Sequence, residues 1–370
     1  MVCCSAHAVK AGHDQATVSV GGAIAEGEID QLTLSASPGN RARLSLRFAR
    51  LLVWDWRHSG DWFEGEIGLV KRLFAIAMTL ALYGCASVPD AAAGRSRFLI
   101  SYFYGEDAGA RLALSNDGIH WKPINGGAPV IRPRPGDIVR DPSIIRSKDG
   151  LYHMVWTTGW TGHDIGYASS KDLIHWTDYK KVPVMAGTNV GHTWAPELFF
   201  DDRTNSYLIA WSSDGTPWAI HYVTTKDFNS FSERKLLFTN GAIGGGKAGN
   251  RGPIDGSILK EGPGKYILFY KTDDNSGVPT LFFRWGPSPT GPWGEEHGPI
   301  TPSTGDEGPS VLKAGDEYRV YTDPFESEFM YMYSSTDLKS WTRVTTDLRM
   351  SHGTVIRIPE GEARAAEAAH

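Results

Sequence analysis

Cysteine is nearly missing from this chain. Three occur in 370 residues, Cys3, Cys4 and Cys85, so nothing after residue 85 can draw on a disulfide framework or a thiolate metal site. Long apolar runs are missing too. The run at residues 73–82 has ten residues, against the ~20 that a membrane-spanning helix needs. Nor is positive charge in excess: 37 Lys and Arg stand against 42 Asp and Glu, a net charge of −5, which leaves no basic footprint for nucleic acid. Glycine (42), tyrosine (14) and tryptophan (13) are plentiful. That mixture suits an all-β protein with many turns, an aromatic-lined site and a core filled by most of its indoles.

Residues 70–85 read as a secretory signal of the lipoprotein type. Lys71-Arg72 precede the apolar run, and Leu82-Tyr83-Gly84-Cys85 resembles a bacterial lipobox, whose cysteine becomes lipidated. A signal should start a chain, yet residues 1–69 precede this one and show no sustained period of two or 3.6. They are expected to be an upstream translation artefact or a disordered leader, with initiation at Leu69 or Val70. Residues 86–97 read as a tether and residues 359–370, rich in Ala and Glu, as a flexible tail. The expected location is the periplasm or outer membrane of a bacterium, as a monomer touching membrane only through a lipid on Cys85.

The remaining stretch, 98–358, carries an internal repeat. A Ser or Thr, an Asp two residues on and an aromatic four residues after the Asp recur as Ser115-Asn-Asp117-Gly-Ile-His-Trp121, Ser170-Lys-Asp172-Leu-Ile-His-Trp176, Thr225-Lys-Asp227-Phe-Asn-Ser-Phe231 and Ser335-Thr-Asp337-Leu-Lys-Ser-Trp341. A degenerate copy, without the Asp and one residue short, runs from Ser288 to Trp293. The aromatics stand 55, 55, 62 and 48 residues apart. Short alternating strands at such a period predict a propeller with one four-stranded blade per repeat. The first copy lacks an inner strand before it, and His352-Gly-Thr-Val-Ile-Arg-Ile358 is an inner strand with no blade after it. Together they predict five blades, with the C-terminal strand completing the N-terminal blade and closing the ring.

Aligned on the inner strands, Asp141, Glu197, Asp255 and Glu307 each precede the Tyr of the next strand by ten or eleven residues, and His352 opens the fifth. One equivalent position is expected for them all, at the mouth of the central channel. Four carboxylates there raise one another's pKa, so at least one should keep its proton near neutrality. Cation binding on the axis is one use for such a set. Glycoside hydrolysis is another, since it needs a protonated carboxylic acid beside the leaving oxygen and an ionised carboxylate to activate water or attack.

Arg140-Asp-Pro-Ser-Ile, Trp194-Ala-Pro-Glu-Leu, Ile254-Asp-Gly-Ser-Ile, Asp306-Glu-Gly-Pro-Ser and His352-Gly-Thr-Val-Ile, in that order, resemble glycoside hydrolase family 43. The resemblance covers about 98–358 and implies a five-bladed propeller that inverts anomeric configuration. It implies Asp141 as general base, Glu307 as general acid and Asp255 as the residue that orients the acid and tunes its pKa. Glu197 would lie near the sugar, and His352 on the axis, beside a Ca2+ or Na+ ion held through water; no other cofactor is implied. Gly256 stands where the family commonly has Pro, and Glu261-Gly-Pro263 repeats the acid's tripeptide in what reads as a hairpin turn. Trp156, Trp160, His192 and Trp194 are expected to wall the sugar, Trp194 foremost, and the Gly-rich loop at 240–252 to build one side. The substrates implied are terminal α-L-arabinofuranosyl or β-D-xylosyl groups of plant-type polysaccharides or oligosaccharides. Endo-arabinanase and exo-β-1,3-galactosidase activities are the alternatives within the family, and a non-catalytic glycan-binding propeller is the alternative outside it.

Overall fold

The computed structural model describes residues 96–105, 109–215, 217–241, 252–273, 278–301 and 305–369. The leader, the signal with Cys85 and nearly all of the tether lie outside these residues, as does most of the Gly-rich loop. Within them the chain forms five four-stranded antiparallel sheets. The closing blade joins β1 (Ser96–Phe103), β2 (Arg111–Ser115) and β3 (Trp121–Pro123) to the last strand of the chain, β20 (Ser351–Pro359). Blade one holds β4 (Arg140–Arg146), β5 (Tyr152–Thr157), β6 (Ile165–Ser170) and β7 (Trp176–Val182). Blade two holds β8 (Trp194–Asp201), β9 (Ser206–Ser213), β10 (Ala219–Thr225) and β11 (Lys235–Phe238). Blade three holds β12 (Ile254–Gly262), β13 (Lys265–Asp273), β14 (Pro279–Gly286) and β15 (Glu296–His297). Blade four holds β16 (Asp306–Ala314), β17 (Glu317–Pro324), β18 (Phe329–Ser335) and β19 (Thr342–Arg349).

The ring closes as the orphan strands require. β20 runs antiparallel to β1 from Ser96↔Pro359 to Phe103↔Ser351, so the chain's last strand covers an edge that would otherwise be exposed. Pairs of neighbouring blades share the apolar clusters; Ile267, Phe269, Val320, Tyr331 and Tyr333, for example, fill the space between blades three and four.

The repeated Ser-x-Asp segment is a turn whose side chains replace missing backbone partners. Ser115 Oγ accepts the Gly118 N–H at 2.8 Å, while Asp117 Oδ1 accepts those of Ile119 and His120 at 2.8 and 2.9 Å. Ser170/Asp172, Thr225/Asp227 and Ser335/Asp337 repeat this bonding. The residue after each Asp is left-handed: Gly118, Leu173, Phe228 and Leu338 have φ of 81°, 70°, 55° and 59°. Two side-chain bridges per turn hold three non-glycine residues in a conformation they ordinarily avoid. Glu261-Gly-Pro263 closes the β12–β13 hairpin, with Glu261 bound to Lys313 at 2.8 Å.

The C-terminus corrects the expected flexible tail. Glu360–Ala368 form a helix, α1, with Ala363 and Ala366 buried. Arg146 of β4 grips Glu362 through two hydrogen bonds of 2.7 and 2.5 Å, Tyr152 donates to the same carboxylate, and Arg97 of β1 binds Glu367 at 2.8 Å. The small Ala face allows close approach, and the two Arg–Glu pairs fasten the helix to two blades. Ser96 and Arg97, read as tether, belong to β1.

Candidate active site

The five inner strands begin around one end of the channel, and their pairing there is irregular. In β4, Arg140 faces Thr157 and Ser143 faces Val155, so one extra residue is bulged out between them. The same slip separates Trp194 from Glu197, Ile254 from Ser257 and Glu307 from Ser310. The bulged residue is left-handed: Asp141, Ala195, Asp255 and Gly308 have φ of 49°, 46°, 55° and 60°. In β20 the register shift places His352 there.

This register corrects the expected single position for the acids. Asp141, Asp255 and His352 share the bulge. Glu307 stands one residue before it, level with Arg140, Trp194 and Ile254. Glu197 stands two residues after it, in a ring otherwise made of Ser143, Ser257, Ser310 and Thr354. Hairpin length caused the error. From this hydroxyl ring to the next-strand Tyr the count is 9, 10, 9 and 8 residues in blades one to four, so the Tyr is not a constant ruler. The hydroxyl followed by Ile or Val was the better anchor.

Asp141, Asp255, Glu307 and His352 converge on a cavity of about 120 Å³ whose wall includes Arg140, Thr157, Trp160, Trp194, Ala195 and Ile254. Thr157 Oγ1 donates to Asp141 Oδ2 at 2.6 Å, and Asp141 Oδ1 lies 3.6 Å from His352 Nδ1. Asp255 is fixed at both ends: its N–H donates to Ser212 Oγ at 2.9 Å, and its Oδ2 accepts the Gly308 N–H at 3.1 Å, next to Glu307. Gly308 is obligatory, since a Cβ there would stand 2.7 Å from the His352 ring. Lys271 Nζ lies 3.9 Å from Glu307 Oε2.

Burial, then the charge of Asp255, raises the Glu307 carboxyl to about 8 against the opposing pull of Lys271. The side chain keeps 32% of its surface exposed at the pocket, so water tempers the effect, but the group favours its proton at neutral pH. Burial lowers the pKa of His352, and Asp255, Asp141, Glu307 and Asp323 more than reverse that, leaving an imidazole raised toward its cationic form. Glu197 does not line the cavity. It accepts from Thr354 Oγ1 at 2.8 Å and Ser257 Oγ at 3.3 Å, and burial raises its pKa.

Asp323 went unnoticed in the sequence. It faces Glu307 across the β16–β17 pair and accepts the His352 N–H at 3.2 Å; burial raises its pKa to about 6. It occupies the second-strand register of Thr157 and Ser212, each of which accepts an N–H from the next blade's bulge. That recurring acceptor was the available signal. Arg140 was also missed; its guanidinium lies 4.4 Å from the Phe103 ring centre and 4.3 Å from that of Trp160.

The aromatic wall is partly as expected. Trp160, 53% exposed, and Trp194 meet edge to face at 6.4 Å, and Trp160 O accepts from both Trp194 Nε1 and His192 Nδ1 at 2.9 Å. His192 stacks on Trp194 at 4.1 Å, as a brace rather than as lining. Trp218, not anticipated, extends the group at 6.0 Å from Trp194. Trp156 departs from expectation: it is 6% exposed and belongs to the core between blades, pressed over Gly166, where any Cβ would meet the indole at 2.0 Å.

The axial cation finds no direct cage. Among the described residues no group of three or more His, Cys, Asp or Glu side chains is placed to ligate a metal ion directly; the ion expected beside His352 is one held through water.

A family model described as a probable glycosyl hydrolase domain matches residues 95–364. An α-L-arabinofuranosidase of Bifidobacterium longum subsp. longum is 26% identical over 211 residues, which are 47% of this chain and 19% of that protein. α-L-Arabinofuranosidase C of Cellvibrio japonicus is 35% identical over 124 residues, 31% of this chain and 19% of that protein. The chain thus spans about a fifth of the length of these curated relatives. A solved thermostable family-43 glycoside hydrolase is 18% identical at a TM-score of 0.46, covering 58% of this chain and 74% of that one.

Proposed function

The chain belongs to glycoside hydrolase family 43, and from that premise we propose that it is an inverting glycosidase releasing terminal α-L-arabinofuranosyl groups, or β-D-xylosyl groups, from plant-type glycans. The observation that carries this reading is the contrast between two carboxyls in one cavity. Glu307 favours its proton at neutral pH, while Asp141 receives a hydroxyl and faces the His352 ring. Glu307 donates its proton to the glycosidic oxygen as the bond to the anomeric carbon breaks. Asp141 takes a proton from a water that attacks the opposite face, and configuration inverts. Asp255, pinned by the Gly308 N–H, holds the acid's pKa up and its carboxyl in place. Trp160 and Trp194 offer faces for the sugar. No step passes through a metal.

The arabinofuranosyl preference draws on the names of the two curated relatives. We further propose that the protein is exported and anchored through Cys85, which mass spectrometry of the native N-terminus tests by finding, or not finding, an acylated cysteine. A purely glycan-binding propeller would have no use for a carboxylic acid kept protonated beside a second carboxylate. Aryl α-L-arabinofuranosides and aryl β-D-xylosides separate the readings. Wild type should cleave at least one of them, and Asp141→Ala should lose about 10³-fold or more in kcat. Tight sugar binding with no turnover on any member of the panel would sink the enzymatic reading.

A further inference from the structure

A second cavity, of about 130 Å³, is lined from the same ends of β4 and β5 as the catalytic one. Arg140 and Thr157 line the catalytic cavity, while their neighbours Val139 and Thr158 line this one. Four cationic side chains surround it, Arg132, Arg134, Lys180 and Lys181, with Asp137 as the one carboxylate in its wall. Asp137 is already engaged by Lys181 at 2.5 Å, and Lys180 Nζ reaches the Asn229 amide oxygen at 2.8 Å. The Arg134 guanidinium rests 5.2 Å from the Tyr179 ring centre, and among the described residues Arg132 has no partner. Trp156 and Tyr179 form an aromatic floor, 6.4 Å apart and edge to face.

In a chain of net charge −5, such a gathering needs a reason. A lone exposed arginine is adequately served by water. Four like charges around one concavity repel one another, and an anion held between them relieves that repulsion. Two guanidinium groups suit a planar carboxylate, which they bind through paired hydrogen bonds. Of the two aromatics in the wall, Trp156 is buried and the half-buried Tyr179 supplies the apolar surface that a sugar ring uses and a bare phosphate or sulfate does not.

We propose that this cavity is a subsite for a uronic acid residue adjacent to the sugar being cleaved, so that the preferred substrate is an acidic glycan. The proposal rests on the glycosidase reading for its purpose, but its test does not require turnover. Calorimetry on the full-length protein compares a uronate-bearing oligosaccharide with its carboxyl-reduced, neutral twin. The acidic ligand should bind about tenfold more tightly at low salt, and that advantage should shrink with added salt and vanish in Arg132→Ala/Arg134→Ala. Cleavage of a neutral aryl arabinofuranoside should be unchanged in that variant, which reports separately on the catalytic reading and on folding. Equal affinity for the two oligosaccharides, or a preference that survives the double substitution, would overturn the subsite. Inorganic sulfate binding as tightly as the acidic oligosaccharide would also overturn it, by showing a bare anion hole.

Discussion

Glu307 carries opposing demands. Its value as an acid comes from surroundings that disfavour its charge, and the same surroundings cost stability once the proton is lost. The folded-state pKa of about 8 lies above that of an unfolded Glu, so the folded protein holds the extra proton between roughly pH 4.5 and 8. Stability from this group is therefore fully present at low pH and declines as pH rises through that window. Glu307→Gln cannot ionise. It should match wild type near pH 5 and exceed it at pH 9 by about 2 kcal/mol, a figure already reduced for the partial exposure of the side chain; urea unfolding at the two pH values measures it. The activity profile follows the opposite logic. The basic limb of kcat/KM should fall near pH 8, and Asp255→Asn should move that limb to lower pH, because Asp255 is the neighbouring charge that raises Glu307. At this scale the acids themselves were legible through their coincidence: one carboxylate at a strand start is ordinarily a turn former, but four at the starts of successive inner strands are not. Asp323 and Arg140 were not, because a residue's closeness to Glu307 or Trp160 arises from pairing across strands rather than from spacing along one.

Elements were legible where the side-chain pattern is local. The Ser-x-Asp turns bond within themselves, so they appear in sequence as a fixed spacing, and the strands follow from them. Register was harder. A difference of one or two residues in hairpin length displaced Glu197 and Glu307 from the position they seemed to share with Asp141, and only the ladder partners reveal the bulge. Helix α1 was illegible for a related reason. Its anchors, Arg97 and Arg146, lie 270 and 216 residues upstream of Glu367 and Glu362. An Ala/Glu segment without those partners would indeed fray. Arg146→Ala would leave the Glu362 carboxylate with the Tyr152 hydroxyl but without its guanidinium partner. It should lower stability by about 1–3 kcal/mol in urea unfolding while leaving KM for an aryl glycoside unchanged, since the helix contributes nothing to the catalytic wall.

For the whole molecule, the ring's closure is what gives the site its composition. His352 comes from the last strand and Asp141 from blade one, and they meet 3.6 Å apart because β20 pairs with β1 instead of starting a new blade. The same convergence puts Asp141, Asp255, Glu307 and Asp323 around one imidazole, so that the ionised carboxylates raise His352, while burial first and the Asp255 charge second favour the proton on Glu307. Closure was legible from two orphan segments of sequence, one lacking a strand and one lacking a blade. The second, basic cavity was not, because Arg132, Arg134, Lys180 and Lys181 gather only when the loop before β4 lies against β7. The account stands on Glu307 as the acid, and its most direct test is the dependence of Glu307→Ala on the leaving group. On an arabinofuranosyl oligosaccharide, whose leaving alcohol needs a proton, the variant should lose about 10³-fold or more in kcat. On a dinitrophenyl glycoside, whose leaving group needs none, it should retain most of the wild-type rate. Oligosaccharide hydrolysis that survives the substitution, or equal losses on both substrates, would contradict the account.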